Sequence, residues 1–143
     1  WPNDLLLDGR KLGGMLSTGY HEKQFVVVGI GINVGWAPQE AVALGEFFDE
    51  EVPTPVGLLE NMLRKITQIE KLSLNEQHEQ YVAQLATLGK LVKVELTNGV
   101  VITGQAQDVD IEGRLLVVDT GDKSVTHVID TGDVVHLRNA DHG

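Results

Sequence analysis

The chain has 143 residues, 42% of them hydrophobic, and carries 11 Lys and Arg against 21 Asp and Glu, a formal net charge of −10. That length and composition suit one domain or two small ones with a real core. The acidic balance argues against a non-specific nucleic-acid binder, which needs a basic face for phosphates. The absence of Cys removes disulfides, thiol chemistry and Cys-based zinc sites.

The chain opens on Trp1-Pro2-Asn3-Asp4, a run that reads as the middle of something, since Trp1 is a large ring that wants burial. Leu5 to Leu7 is a short strand candidate, Asp8-Gly9 a two-residue hairpin turn, and Arg10 to Ser17 the returning strand. By strict alternation Lys11 and Gly13 share one face, and Arg10, Leu12 and Gly14 the other. A cation beside exposed backbone suits a phosphate or a carboxylate, although a charged hairpin end is the simpler account. Gln24 to Val34 is a nearly continuous apolar run, as expected of a strand buried on both faces.

Within that run, Gly29, Gly31 and Gly35 have the wrong spacing for a dinucleotide fingerprint, and no helix pattern begins there. Gly29 and Gly31 share a face on which a flat ligand or another backbone can lie. Asn33 follows on that face with an amide suited to a purine edge. Easier helix-on-sheet packing is an equally good account of the glycines.

A short helix is expected over 40–48. A longer one follows Thr54 as N-cap and Pro55 as first residue, with Leu59, Met62, Leu63, Ile66 and Ile69 at helical spacing. A further helix is expected over 75–88, stopped by Gly89. From Lys90 the period becomes two. Five short strands, over 91–96, 100–109, 114–119, 124–129 and 133–138, are separated by turns at Asn98-Gly99, Glu112-Gly113, Gly121-Asp122 and Thr131-Gly132. This pattern predicts a small SH3-like barrel. The five His residues, at positions 21, 78, 127, 136 and 142, show no metal-ligand spacing, and neither a metal site nor a catalytic His is assigned. No stretch is long and apolar enough to span a bilayer.

Read together, "WPND", "DGRKLGGML" and "VVVGIGINV" occur in an order and spacing that resembles the biotin protein ligases (biotin–[acetyl-CoA-carboxylase] ligases). "YVAQLATLGKLVKVEL" is similar to that family's link into its C-terminal domain, and "GDVVHLR" to its last strand. The resemblance covers essentially the whole chain. It implies an α+β fold: 1–88 as the C-terminal half of a class II synthetase-like catalytic domain, and 89–143 as an SH3-like barrel. In the family a Lys precedes "WPND", and a glycine- and arginine-rich loop around biotin and the phosphates lies upstream; neither is in this sequence.

The implied reaction joins biotin and Mg-ATP into biotinyl-5′-AMP, then passes biotin to a lysine of a biotin carboxyl carrier protein. Two anions must meet, so cations must offset their charge. The resemblance gives Lys11 the catalytic and biotin-carboxylate role, Gly14 close approach of biotin, and Gly29, Gly31 and Ile32 the floor beneath it. It places Asn3, Asp4, Asn33, Trp36 and Arg138 on the ATP or adenylate side, with Mg²⁺ arriving with ATP and no resident metal. Gly13 stands where the family more often has Ala, a change expected to be mild. The chain alone is expected to lack ligase activity and to act as a cytoplasmic, self-associating, ligand-binding piece without membrane or nucleic-acid contacts. The rival readings are a purely dimerising or binding module and, less favoured, a nucleic-acid-binding barrel.

Overall fold

The computed structural model describes residues 1–20, 22, 24–48, 51–130 and 133–136, the last four by their strand pairing. The fold is α+β, with two antiparallel sheets and two α-helices, in two compact units: Pro2–Lys71, and Trp1 with Leu72–Gly143. Arg138, His21, His142 and the Thr131-Gly132 turn lie outside the described residues.

In the first unit β1 (Asp4–Leu7), β2 (Arg10–Tyr20) and β3 (Phe25–Ile32) form a sheet in chain order. Asp8 and Gly9 both take positive φ, 51° and 72°, the turn whose twist matches paired strands. The far end is closed by Tyr20 stacked on Phe25, ring centroids 4.9 Å apart.

Between β1 and β2 the register slips: Leu5 pairs with Gly13 but Leu6 with Lys11, leaving Leu12 as an extra residue. This bulge overturns the face assignment made from strict alternation. Lys11 joins Gly14 and Asp4, because one inserted residue inverts the parity of everything before it.

The helix α1 (Pro55–Ile69) begins as expected, with Thr54 Oγ1 accepting from the Gly57 N–H at 3.1 Å. It lies across the β3 face that carries Val28, Ile30 and Ile32, and a cavity of about 340 Å³ remains between them, lined also by Leu58 and Met62. β3 is not buried on both faces: Val26 is 62% exposed and Ile30 39%. The helix expected over 40–48 is also absent; only a 3₁₀ turn, Leu44–Glu46, forms. The reason is competition. Ala41 bridges Lys11, the Val42 N–H donates to Lys11 O, Leu44 N–H to Asn33 O, and Gly45 N–H to Val34 O. The backbone groups a helix would use are bonded to β2 and to the end of β3.

In the second unit α2 (Leu74–Gln84) starts at Ser73, whose hydroxyl accepts from Glu76 N–H while the Glu76 carboxylate accepts from Ser73 N–H. It ends short of the expected Leu88, because Leu85 turns extended, with ψ 106°. Five strands follow: β4 (Leu91–Glu95), β5 (Val101–Val109), β6 (Leu115–Asp119), β7 (Thr126–Ile129) and β8 (Asp133–His136), paired in the order β7-β6-β5-β4-β8.

Alternate residues of these strands supply the core: Val92, Val94, Ala106, Val109, Leu115 and Val117 are fully buried. Trp1 packs against this core and donates its indole N–H to Gly113 O at 3.0 Å. The Asn98-Gly99 turn forms with only Gly99 at positive φ, 82°, and with Leu96 and Val100 closing it. The hairpin expected there is therefore closed by a three-residue loop with a glycine bulge. The Glu112-Gly113 turn repeats the geometry, with Gly113 at φ 85°.

Candidate functional site

The site is built on the face of the first sheet that the bulge creates. Asp4 pairs with Gly14, Gly14 with Gly31, and Leu16 with Gly29, so three glycines line one strip across the strands. Above them Lys11 Nζ meets Asp4 Oδ1 at 2.6 Å. A Cβ on Gly31 would meet nothing within 4 Å, and one on Gly29 only Leu16 O at 3.8 Å. The strip is thus open floor. On Gly14 a Cβ would stand 3.4 Å from Asp4 Oδ1 and 3.8 Å from Lys11 Cε, so the glycine keeps that pair clear. Both side chains of the pair are about half exposed, at 53% and 42%. Such a pair holds together by well under about 1 kcal/mol, so an anionic ligand can draw Lys11 away at little cost.

One expected site residue stands elsewhere, and one substitution is not the mild change expected. Ile32 pairs with Gly13 and lines the cavity against α1, so its side chain is on the face opposite Gly31. Gly13 is buried, and a Cβ there would lie 2.2 Å from Gly31 O. Its replacement is therefore not mild on this backbone; the glycine permits close contact of β2 with β3.

Asn3 is fastened to β2, its Nδ2 donating to Met15 O at 2.8 Å and its carbonyl accepting from Met15 N–H at 2.9 Å. Asn33 Nδ2 donates to Val42 O at 3.1 Å, which leaves the amide oxygen as the group it can offer a ligand. Trp36, just past β3, is 76% exposed. Arg138 lies outside the described residues.

One feature of the site gave no sequence signal. Arg10 reaches over residues 41–46, with Nη1 donating to Ala41 O at 3.3 Å and Nη2 to Glu46 Oε2 at 2.8 Å. Glu46 Oε1 accepts from Ala43 N–H at 2.9 Å. That backbone bond first, and then Arg10, hold the Glu46 carboxyl below its ordinary pKa. Arg10 and Glu46 are far apart in sequence, and no periodicity relates them.

Elsewhere, polar groups serve turns. Asp119 accepts from the Gly121 and Asp122 N–H groups and lies 2.9 Å from His127 Nε2. The hydrogen bond to His127 first, then those two amides, lower its pKa. Asp110 is also lowered: burial opposes this, but bonds from the Arg114 backbone and side chain and from the Glu112 N–H outweigh it. Among the described residues no three His, Asp or Glu gather as a metal site, and no helix is long and apolar enough to cross a membrane.

Residues 87–137 match the family described as Biotin protein ligase C terminal domain. Over 96% of its length the chain is 38% identical to the biotin–[acetyl-CoA-carboxylase] ligase of Mycobacterium tuberculosis (strain ATCC 25618 / H37Rv). The chain is thus similar to biotin protein ligases along almost its whole length. It spans about half of the mycobacterial ligase, 52% of that protein's length. A shorter match, 56% identical over 36 residues, is to biotin–protein ligase 2 of Arabidopsis thaliana.

The fold of this chain is that of the Aquifex aeolicus biotin protein ligase. It superposes on the structure of that enzyme in complex with biotin and ATP with a TM-score of 0.72 at 24% identity, covering 96% of this chain and 60% of that one. A second Aquifex structure gives 0.78, with 64% of that chain covered. The family is one of enzymes.

Proposed function

We propose that the glycine strip with Lys11 is the part of a biotin ligase site where the biotin carboxylate meets the α-phosphate of ATP. The observation that carries this is the cation held over an open backbone floor: Lys11 Nζ beside Gly14, with Gly31 clear of any neighbour and Gly29 meeting only Leu16 O at van der Waals distance. The floor admits a flat bicyclic ligand against the sheet, and the ammonium offsets charge where two anions are brought together. A carboxylate oxygen of biotin attacks the α-phosphorus, pyrophosphate leaves, and biotinyl-5′-AMP forms. An acceptor lysine amine of a biotin carboxyl carrier protein then attacks the acyl carbon, and AMP leaves.

Within this reading Lys11 orients the carboxylate and stabilises the developing phosphate charge. Gly14 keeps the ammonium accessible. Asn33, its donor engaged by Val42 O, presents an amide oxygen to the adenine amino group. Trp36 is exposed and close in sequence to that side, where its ring can cover the base. Asn3 and Asp4 face the phosphates. Mg²⁺ enters as part of the Mg-ATP substrate and keeps most of its waters; Asp4, the carboxylate nearest to Lys11, is one candidate contact. The Aquifex ligase crystallised with biotin and ATP supports this substrate pair.

The same reading takes 1–88 as part of a class II synthetase-like catalytic domain and 89–143 as an SH3-like barrel, in a cytoplasmic enzyme. The chain spans 52% of the mycobacterial ligase, and on this reading the 143 residues by themselves transfer no biotin to a carrier. A second role has its own support: Val26, Val27 and Val28, each more than half exposed, favour self-association through the first sheet. The test is calorimetric titration of the chain with biotinyl-AMP in Mg²⁺ buffer. Micromolar binding that is weakened about tenfold or more in Lys11→Ala and weakened in Asn33→Ala is the expected result. No binding by a folded chain would leave the dimerising or binding-module reading in its place.

A further inference from the structure

We infer that Arg10, the residue before the site lysine, is a positioning residue that latches residues 41–46 against β2 and β3 and so fixes how Asn33 and the Lys11 backbone are presented. This inference rests on the adenylate reading above and adds a second layer to it. In the sequence Arg10 is as good a candidate ligand cation as Lys11. The structure separates them. Lys11 faces the glycine strip, whereas the Arg10 guanidinium is engaged by Ala41 O and Glu46 Oε2.

The latch is a closed chain of bonds. Arg10 holds Ala41 O and Glu46, Glu46 holds Ala43 N–H, and Val42, between Ala41 and Ala43 in the chain, is fully buried. From that seat Val42 N–H donates to Lys11 O at 2.9 Å, and Val42 O accepts from Asn33 Nδ2 at 3.1 Å. Leu44 N–H returns a bond to Asn33 O at 2.9 Å. Both residues assigned to the ligand are therefore tied to one short segment, and that segment is clamped by one arginine. A planar guanidinium can bridge a carbonyl and a carboxylate at once; a lysine ammonium lacks that fork. The Arg10–Glu46 pair is itself about half exposed, so its effect on global stability is small. Its effect on the geometry of the segment is what the site feels.

The experiment measures amide hydrogen exchange and biotinyl-AMP titration on the full chain and on Arg10→Gln, Arg10→Lys, Glu46→Gln and the swap Arg10→Glu with Glu46→Arg. In Arg10→Gln and Glu46→Gln the Val42, Leu44 and Gly45 amides should exchange faster while those of Val94 and Val117 in the second unit stay unchanged. Biotinyl-AMP binding should weaken roughly fivefold, the scale of one partly exposed charged contact. Arg10→Lys should restore little, and the swap should recover part of both signals. Unchanged exchange at Val42 and Leu44 overturns the latch. Faster exchange with unchanged affinity overturns the positioning role. A wild-type chain that binds no biotinyl-AMP contradicts the adenylate reading and, with it, the positioning role, while the exchange data still decide whether the latch exists.

Discussion

The two sheets of this chain use glycine and valine in opposite ways. In the second unit valines point inward: Val92, Val94, Val109 and Val117 are fully buried, and Gly104 sits where a Cβ would strike Val118 O at 2.2 Å. In the first unit valines of β3 are largely exposed, and Gly31 looks into open space. The valines thus serve packing in one sheet and stand exposed in the other, and the first sheet adds to one packing glycine, Gly13, a strip of glycines that gives clearance. A glycine with nothing above it contributes nothing to stability, and in a strand it costs entropy. The open positions at Gly29 and Gly31, in line with Gly14 beneath the Lys11–Asp4 pair, are best explained by something that must lie there.

Mutations can break that contrast. The largest effect is expected for Leu115→Ala, at a fully buried site, which should cost about 2–5 kcal/mol in denaturant unfolding; Leu16→Ala, at a site 76% exposed, should change stability by less than about 0.5 kcal/mol. Next comes Gly104→Ala, whose methyl would overlap backbone and the Val117 side chain, for about 1–3 kcal/mol. Lys11→Ala should leave the unfolding midpoint unchanged and weaken biotinyl-AMP binding by about tenfold to a hundredfold, the range for a hydrogen bond to a charged group. Equal loss of stability in Lys11→Ala would mean that the lysine is structural.

The smallest effect is on pH dependence. Glu46, Asp110 and Asp119 have pKa values lowered on folding, so the unfolded chain binds more protons at low pH. Their contribution is fully present above the ordinary values of 4.5 for Glu46 and 3.8 for the aspartates, and is lost as pH falls through the lower folded values. Unfolding followed from pH 6 down to pH 2 should show a loss that is shallower in Asp119→Asn. A curve identical to wild type would remove Asp119 from the account.

Local chemistry made much of this fold legible. Asp8-Gly9 announced its turn, Thr54-Pro55 its helix start, and the change to period two the second sheet. What local chemistry could not reveal depends on pairing between distant segments. The bulge at Leu12 is a register choice made against β1, and it reverses the face of Lys11. The helix expected over 40–48 gives way because Val42 and Leu44 bond to strands instead. The orientation of the Asn33 amide follows from Val42 O, which no spacing in the sequence could show. The motifs located the site, but its handedness and its latch came only from the assembled sheet.

The measurement that tests the central claim most directly is a titration of biotinyl-AMP into Gly31→Val beside the wild-type chain, with thermal unfolding recorded on both. A Cβ there meets nothing within 4 Å, so the account predicts a folded chain of near wild-type stability together with binding abolished by the occupied floor. Binding of wild-type affinity in a folded Gly31→Val chain would show that no ligand lies on the glycine strip.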